Sequence, residues 1–302
     1  MALKDIKTKI KATERTHKVT RAMEAVSAVK MRKTVATALA GRPYARAALS
    51  ILTRLSGTED VKRHPLAHSR EGNKVALVLI TSDKGLAGAL NSSVIKRAVD
   101  ALAKRRVEDV VIYAFGKKGG EYFQRRGYTI AKLLENKADT VDLSVMEKLS
   151  AELSDGFLNE EYDKVITVYS NFKSTFEQVA TLRRLLPLSL GALTEIVEGI
   201  VPAKGKWSDV GSLEAPSAYS VDSEDESVLG VLIPRLIAVS LYYMLLESKA
   251  SEHSARMVAM KNASDKSEEV AHTLTRLFNK IRQAGITREV SEIVGGREAL
   301  AT

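Results

Sequence analysis

A glycine-bearing turn follows the most apolar stretch of the chain and raises the first chemical question. Residues 75–80 read VALVLI, and the segment TSDKGLAGAL at 81–90 comes directly after them. A phosphate-binding loop needs G-x-x-x-x-G-K-[ST] and a dinucleotide site needs G-x-G-x-x-G, because successive backbone N–H groups must face the phosphates. Here only Gly85 and Gly88 occur, spaced G-x-x-G, with Lys84 ahead of them. The spacing favours a structural turn over a nucleotide site.

The sequence offers little evidence for a metal site or for a catalytic nucleophile. His64 and His68 are four residues apart, but Pro65 disfavours the helix that would place both on one face, and the H-E-x-x-H glutamate is missing. We interpret both as linker histidines. The chain has no cysteine, which excludes disulfides, thiolate catalysis and cysteine-bound metals. We predict no catalytic residue, no cofactor site and no metal site.

The excess positive charge lies in the first 50 residues. This segment holds 12 Lys or Arg and three acids, a net charge of +9, which equals that of the whole 302-residue chain. A basic helix of this kind is either a solvated face or the contact surface for an acidic partner, which would be a nucleic acid, an anionic lipid or an acidic protein surface. The basic segment carries almost no aromatic side chains, so base stacking is disfavoured. No apolar run reaches the length of a membrane-spanning helix, and direct membrane insertion is not expected.

Long helical patterns occupy both ends of the chain. Residues 2–40 contain neither Gly nor Pro, and a narrow stripe recurs there at three- and four-residue steps. This stripe consists of Leu3, Ile6, Ile10, Thr13, His17 and Thr20. A second pattern runs from about 228 to 294, with a stripe of Val270, Leu274, Leu277, Ile281 and Ala284. A helix of about 65 residues spans roughly 100 Å, far more than a domain of about 130 residues. The two ends are therefore predicted to pair and to project from the middle of the chain.

An α/β pattern fills the middle. Strands are predicted at 74–81, 109–115, 164–170 and 177–187, with helices at about 91–105, 117–126 and 143–158. Strands that alternate with helices imply a mostly parallel sheet covered by helices. The predicted fold class is α/β, with a long antiparallel coiled coil of the N- and C-terminal helices and a central Rossmann-like α/β domain. The predicted boundaries are 1–57 and 228–302 for the coiled-coil helices and 74–190 for the central domain.

Two segments near the C-terminus point to close packing and to a partner. SEHSARMVAMKNASDK at 251–266 mixes Ser, Ala and Met, whose small or adaptable side chains let helices approach closely. RQAGITREVSEIVGG at 282–296 places Ile286, Val290 and Ile293 among polar groups. An apolar tip of this kind is hard to explain in a monomer and indicates insertion into a partner.

These segments, in this order along the chain, resemble the gamma-subunit family of bacterial F-type ATP synthases. The matching pieces are IKTKIKATERTHKVTRAMEAVSAVKMRK at the start, RPYA at 42–45, TSDKGLAGALN at 81–91, SEHSARMVAMKNASDK, and FNKIRQAGITREVSEIVGG at 278–296. The resemblance covers essentially the whole chain. It implies the central rotor shaft of the synthase, a non-catalytic subunit that couples transmembrane proton flow to ATP synthesis or hydrolysis by rotation.

The same resemblance implies partners and a location. The partners would be three alpha and three beta subunits, the epsilon subunit and the membrane rotor c-ring, at the cytoplasmic face of the bacterial plasma membrane, with no cofactor and no nucleic acid. The positions that match the family's contacts with beta-subunit loops are Arg282, Gln283, Thr287, Glu289, Met23, Lys18 and Arg21. An acidic stretch of the family's beta subunits would face the basic segment.

Two other classes of protein remain as alternatives from the residues alone. A coiled-coil nucleic-acid-binding protein would use the basic N-terminal helix as its contact surface, and its binding would weaken steeply with salt. An NAD-type enzyme built on the α/β domain would need a glycine fingerprint that the sequence lacks.

Overall fold

The computed structural model describes residues 3–40, 64–136, 142–188 and 226–299. The chain forms two compact units. We call residues 1–26 with 257–302 the terminal-helix unit and residues 27–256 the sheet unit. The elements in chain order are α1 (Leu3–Ala40), β1 (Val75–Ile80), α2 (Leu90–Leu102), β2 (Val110–Phe115), α3 (Lys117–Gln124), β3 (Thr129–Leu134), α4 (Leu143–Leu158), β4 (Lys164–Ser174), β5 (Glu177–Leu186) and α5 (Glu226–Ala299).

A five-stranded sheet forms the centre of the sheet unit. Its strand order is β3-β2-β1-β4-β5, so the apolar strand β1 lies in the middle. Among the described strands, the pairs of β1 with β2, β1 with β4 and β2 with β3 are parallel, and the β4–β5 hairpin is antiparallel. Every residue of β1 is buried, as a central strand covered on both faces requires. The predicted mostly parallel sheet is confirmed.

Helices cover the two faces of the sheet. Alternate residues of β1 face opposite sides, and Ala76, Val78 and Ile80 pack in one apolar cluster with α4 and with the first half of α5. Val75, Leu77 and Leu79 face a second cluster built with α2 and with Phe123 of α3. α5 is therefore part of the core of the sheet unit.

The predicted strands and helices of the middle are present, with one omission. β3 was not predicted, because its residues alternate between exposed and half-buried positions and lack a continuous apolar run. It is the last strand at one edge of the sheet that the described residues form. Part of the predicted linker, from residue 64, is described and contains a short turn of 3-10 helix at Pro65–Ala67. Residues 41–57, the last part of the predicted N-terminal coiled-coil segment, lie outside the described residues.

Within the sheet unit, the end of α1 packs against α5 in the opposite direction. Val35 clusters with Ala250 and with Phe172 of β4. Three residues further along α1, Ala38 packs against Tyr243 and other α5 residues that precede Ala250. A later position on α1 thus meets an earlier position on α5, which makes the two helices antiparallel.

The terminal-helix unit is held by a seam with the spacing of a coiled coil. On α1 the buried and half-buried positions include Ile6, Ile10, Thr13, His17 and Thr20, which confirms most of the predicted stripe. Leu3, also predicted, is exposed. On α5 the corresponding positions are Met257, Met260, Ser264, Ser267, Ala271, Leu274, Phe278, Ile281 and Gly285. These steps of three and four residues are those of a heptad seam.

The predicted stripe of α5 was partly wrong. Leu274 and Ile281 belong to the seam, but Val270, Leu277 and Ala284 are exposed. The seam continues the line of Met260 and Ser264, so its course is set by upstream contacts and passes through the smaller Ala271. Val270 and Leu277 are therefore exposed, although both are more apolar than Ala271.

Candidate partner-binding site

The turn after β1 is held by its own side chains. Oδ1 of Asp83 accepts a hydrogen bond from the backbone N–H of Lys117, the first residue of α3, at 2.9 Å. Its other oxygen, Oδ2, accepts from the backbone N–H of Asn136 at 2.8 Å. A carboxylate at a helix N-terminus also interacts favourably with the helix dipole. Asp83 therefore joins the turn to α3 and to the segment after β3.

Thr81 extends this network beneath the turn. Its hydroxyl oxygen accepts from the backbone N–H of Gly119 at 2.9 Å, and its carbonyl accepts from Nδ2 of Asn136 at 2.9 Å. Gly116 crosses Thr81 so closely that a Cβ there would lie 2.1 Å from the Thr81 carbonyl oxygen. Its φ of +89° also belongs to the region that favours glycine. Only glycine fits at this crossing.

A buried ion pair on α5 contacts the same turn. Nη2 of Arg256 lies 2.7 Å from Oε1 of Glu252 and 3.3 Å from the carbonyl oxygen of Gly85, to which it donates. Both charged residues are buried. The adjacent Leu86 has a φ of 62°, uncommon for a residue with a β-carbon, and its side chain is 62% exposed. Arg256 thus ties the glycine turn to α5.

Small residues bring α5 close to the ends of the strands. Oγ of Ser251 donates to the carbonyl of Ser170 at 3.1 Å, and Oγ of Ser254 donates to the carbonyl of Thr175. In doubly wound sheets, ligands bind in the crevice at the carboxyl ends of the strands. Here this end of β1 is in contact with groups from α5 and α3. This packing supports the interpretation of the turn as structural.

The two linker histidines have a local role. The side chain of His64 accepts a hydrogen bond from the backbone N–H of Leu66 and caps the short 3-10 turn. Burial lowers the pKa of His64, and the neighbouring His68 lowers it further. Within residues 3–40, 64–136, 142–188 and 226–299, no three His, Cys, Asp or Glu side chains group as a metal site would require.

The predicted partner-contacting residues lie on the terminal-helix unit in two separate groups. Lys18 and Arg21 on α1 are exposed, and Met23 is half-buried. The second group lies on α5 and is exposed throughout; it consists of Arg282, Gln283, Thr287 and Glu289. His17 contacts Ser264, so the second group begins about 27 Å further along α5 at 1.5 Å per residue. The structure does not bring the two groups together.

The C-terminal end of α5 continues beyond the described part of α1. With Ser264 opposite His17 and the helices antiparallel, Leu3 lies opposite the turn near Phe278. The remaining α5 residues extend for about 30 Å. The exposed large apolar side chains of this extension are Ile286, Val290, Ile293 and Val294. Ile293 is 71% exposed, so the extension offers apolar surface along a single helix.

Comparison with known proteins covers the whole chain. The sequence profile of the family described as ATP synthase matches residues 2–300. An ATP synthase gamma chain of Chlorobium phaeobacteroides is 36% identical over 304 residues, which cover 99% of this chain and 98% of that protein. One from Moorella thermoacetica is 37% identical over 298 residues and 99% of each chain. The chain belongs to the ATP synthase gamma chain family.

Solved structures agree with this family in fold. A chain of the central stalk and c-ring structure of the Tetrahymena thermophila mitochondrial ATP synthase aligns with a TM-score of 0.60 and 27% identity, over 82% of this chain and 99% of that one. A chain of the Euglena gracilis mitochondrial ATP synthase aligns with a TM-score of 0.66 over 99% of this chain and 94% of that one, at 18% identity. The predicted fold class, with terminal helices and a central α/β domain, is confirmed for this member of the gamma chain family.

The sequence analysis did not predict the charged contacts that join the segment 81–91 to the segment 251–266. It interpreted 251–266 through its small residues, and the close approach of Ser251 and Ser254 to the sheet agrees with that. It did not predict that Arg256 would reach Gly85 in the other motif. The spacing of Glu252 and Arg256, four residues apart on a helix, was the available signal.

Proposed function

We propose that this gamma chain is the non-catalytic rotor shaft of an F-type ATP synthase, and that its terminal-helix unit turns inside a ring of three alpha and three beta subunits. The observation that carries the proposal is the single-helix extension at the end of α5, with exposed Ile286, Val290 and Ile293. Exposed apolar groups along an isolated helix are typical of a surface that other chains surround and bury, and not of one that stays in water.

The charge of α1 supports the same arrangement. All seven Lys and Arg residues between positions 3 and 21 are exposed, which gives α1 a basic surface. A beta subunit with acidic groups toward the shaft would attract this surface without deep interlocking, because exposed ion pairs contribute only about 0–1 kcal/mol each. Contacts of this strength can be exchanged as the shaft turns. Family membership leaves the nucleic-acid alternative without support.

We assign the remaining partners and the location by the same proposal. The sheet unit would contact the epsilon subunit and the membrane rotor c-ring, and the chain would be a peripheral protein at the cytoplasmic face of the bacterial plasma membrane. None of the helices that the structure describes has the length and apolar character needed to span a bilayer. Proton flow would turn the c-ring and the shaft together, and the ring of alpha and beta subunits would carry out the ATP chemistry.

We further propose that Arg282, Gln283, Thr287 and Glu289 bond to beta-subunit loops. The test is the double variant Arg282→Ala with Gln283→Ala in a complex reassembled from alpha, beta and this chain. A hydrogen bond to a charged group contributes roughly 1.5–3 kcal/mol, so losing one in the transition state lowers ATP turnover about tenfold or more.

The matched control is Arg276→Ala with Asn279→Ala, two exposed positions on the same helix. This control should keep full turnover, and both variants should assemble. Equal turnover in the two double variants would contradict the proposed contacts. Failure of the unaltered chain to assemble with alpha and beta subunits would contradict the rotor function itself.

A further inference from the structure

The seam between α1 and α5 in the terminal-helix unit mixes large apolar residues with small and polar ones. Ile6, Thr20, Met260 and Ser264 are the buried residues among those described in this unit, and two of the four are polar. In coiled coils, large apolar residues provide most of the stability, and a single polar residue in the seam specifies how the helices are aligned. Next to His17 the seam positions include Thr13, Thr20, Ser264 and Ser267, so local apolar packing does little to define the alignment there.

His17 makes a specific polar contact across this seam. Its Nδ1 lies 3.0 Å from the backbone carbonyl oxygen of Ser264. A carbonyl can only accept, so it is the tautomer with the proton on Nδ1 that donates to it. The same nitrogen lies 3.1 Å from Oγ of Ser264, whose residue is only 3% exposed. Ser264 therefore lies where an unpaired polar group would be costly, and His17 is half-buried beside it.

We propose that His17 is a positioning residue that fixes the axial register between α1 and α5. The seam repeats every seven residues, so sliding α5 by one heptad returns each seam position to an equivalent place. Such a slip would bring Met257 or Ala271 opposite His17 in place of Ser264. The imidazole and the buried serine would then lose their contact, and an unsatisfied buried polar group costs about 1–3 kcal/mol.

The register matters for the arrangement of the surface. It sets the axial distance between Lys18 and Arg21 on one helix and Arg282 and Gln283 on the other. It also sets how far α5 extends past α1. The inference concerns the chain by itself, so it can be tested without the other subunits and independently of the rotor function.

The absence of cysteine from the natural sequence makes disulfide formation a clean measure of register. One cysteine replaces Thr13. A second replaces Ser267, which lies opposite Thr13 in the observed register, or Met260 or Leu274, one heptad to either side. Each pair is placed in the full-length chain with His17 retained or with His17→Leu, and helix content is checked by circular dichroism.

In chains that keep His17, we expect the Thr13–Ser267 cysteine pair to form a disulfide far more completely than either slipped pair, Thr13–Met260 or Thr13–Leu274. His17→Leu adds apolar surface and should leave the helices folded, but it should lower the ratio of native to slipped disulfides about tenfold, since about 1.4 kcal/mol of preference is lost. His17→Gln, which keeps a side-chain donor, should restore much of the ratio. His272→Leu makes the same change at an exposed position of α5 and should leave the ratio unchanged.

An unchanged ratio in the His17→Leu chain would overturn the proposal, because the register would then be fixed by packing alone. A His17→Gln chain that slips as far as the leucine variant would also overturn it, since the donor would then have no specific role.

Discussion

Replacing Glu247 by glutamine should change how stability depends on pH. Glu247 lies on α5, is 6% exposed, and its Oε2 accepts a hydrogen bond from Nδ2 of Asn171 at 3.1 Å. Oδ1 of Asn171 is buried and, among the described residues, has no hydrogen-bond partner. Burying an ionised carboxylate costs far more than burying the neutral acid. The surroundings therefore favour the neutral acid.

The size of the effect follows from the pKa of this carboxyl. Burial raises the pKa of Glu247 from 4.5 to about 8, although a hydrogen bond from Tyr169 and the charges of Lys173 and Arg183 oppose the rise. A folded-state pKa above the unfolded value means that the folded protein holds the proton more tightly. Stability is then greatest below pH 4.5, falls as the pH rises toward 8, and levels off above it. Between pH 6 and pH 9 the loss is on the order of 3 kcal/mol.

The measurement is the free energy of unfolding in urea at pH 6 and pH 9, for the natural chain and for Glu247→Gln. The difference between the two chains removes the contributions of other titrating groups. Between pH 6 and pH 9, the free energy of unfolding of the glutamine variant should rise by about 3 kcal/mol relative to that of the natural chain. Glu268→Gln removes an exposed carboxyl of the same helix and should show no such change. A difference that stays constant between the two pH values would refute the reasoning, because Glu247 would then be ionised throughout.

Two further outcomes follow from the packing of α5 against the turn after β1. Arg256→Met should lower the free energy of unfolding by about 3 kcal/mol, because it leaves the buried Glu252 carboxylate without its partner. Adding Glu252→Gln should recover most of that loss, and a loss below about 1 kcal/mol for the single variant would mean that the pair is already hydrated. The isolated chain should show no tight ATP binding in isothermal titration, since groups of α5 and α3 contact the carboxyl end of β1. Micromolar affinity would contradict the non-catalytic role.

Local sequence pattern was sufficient for the elements that are apolar throughout or regular over many turns. VALVLI at 75–80 predicted a buried strand because all six side chains are apolar, and the structure buries every residue of it. The edge strand β3 escaped prediction because its residues alternate between exposed and half-buried positions, which leaves a weak apolar pattern. The strength of the pattern thus followed the degree of burial.

Contacts between distant parts of the chain could not be predicted from the sequence. Nothing near Gly85 indicates that Arg256 donates to its carbonyl, because the two residues are 171 positions apart. The pairing of Glu247 with Asn171 is equally remote. The seam of α5 was misplaced for a related reason: Val270 and Leu277 are more apolar than Ala271, but the seam follows the contacts that α5 makes with α1.

The measurement that tests the rotor function most directly is rotation of single molecules. One cysteine introduced into the otherwise cysteine-free chain, at the exposed Lys104 of the sheet unit, carries a bead, and the chain is assembled with alpha and beta subunits fixed to a surface. Addition of ATP should turn the bead continuously in one direction, and removal of ATP should stop it. ATP hydrolysis by an assembled complex in which the bead shows only undirected fluctuation would contradict the account.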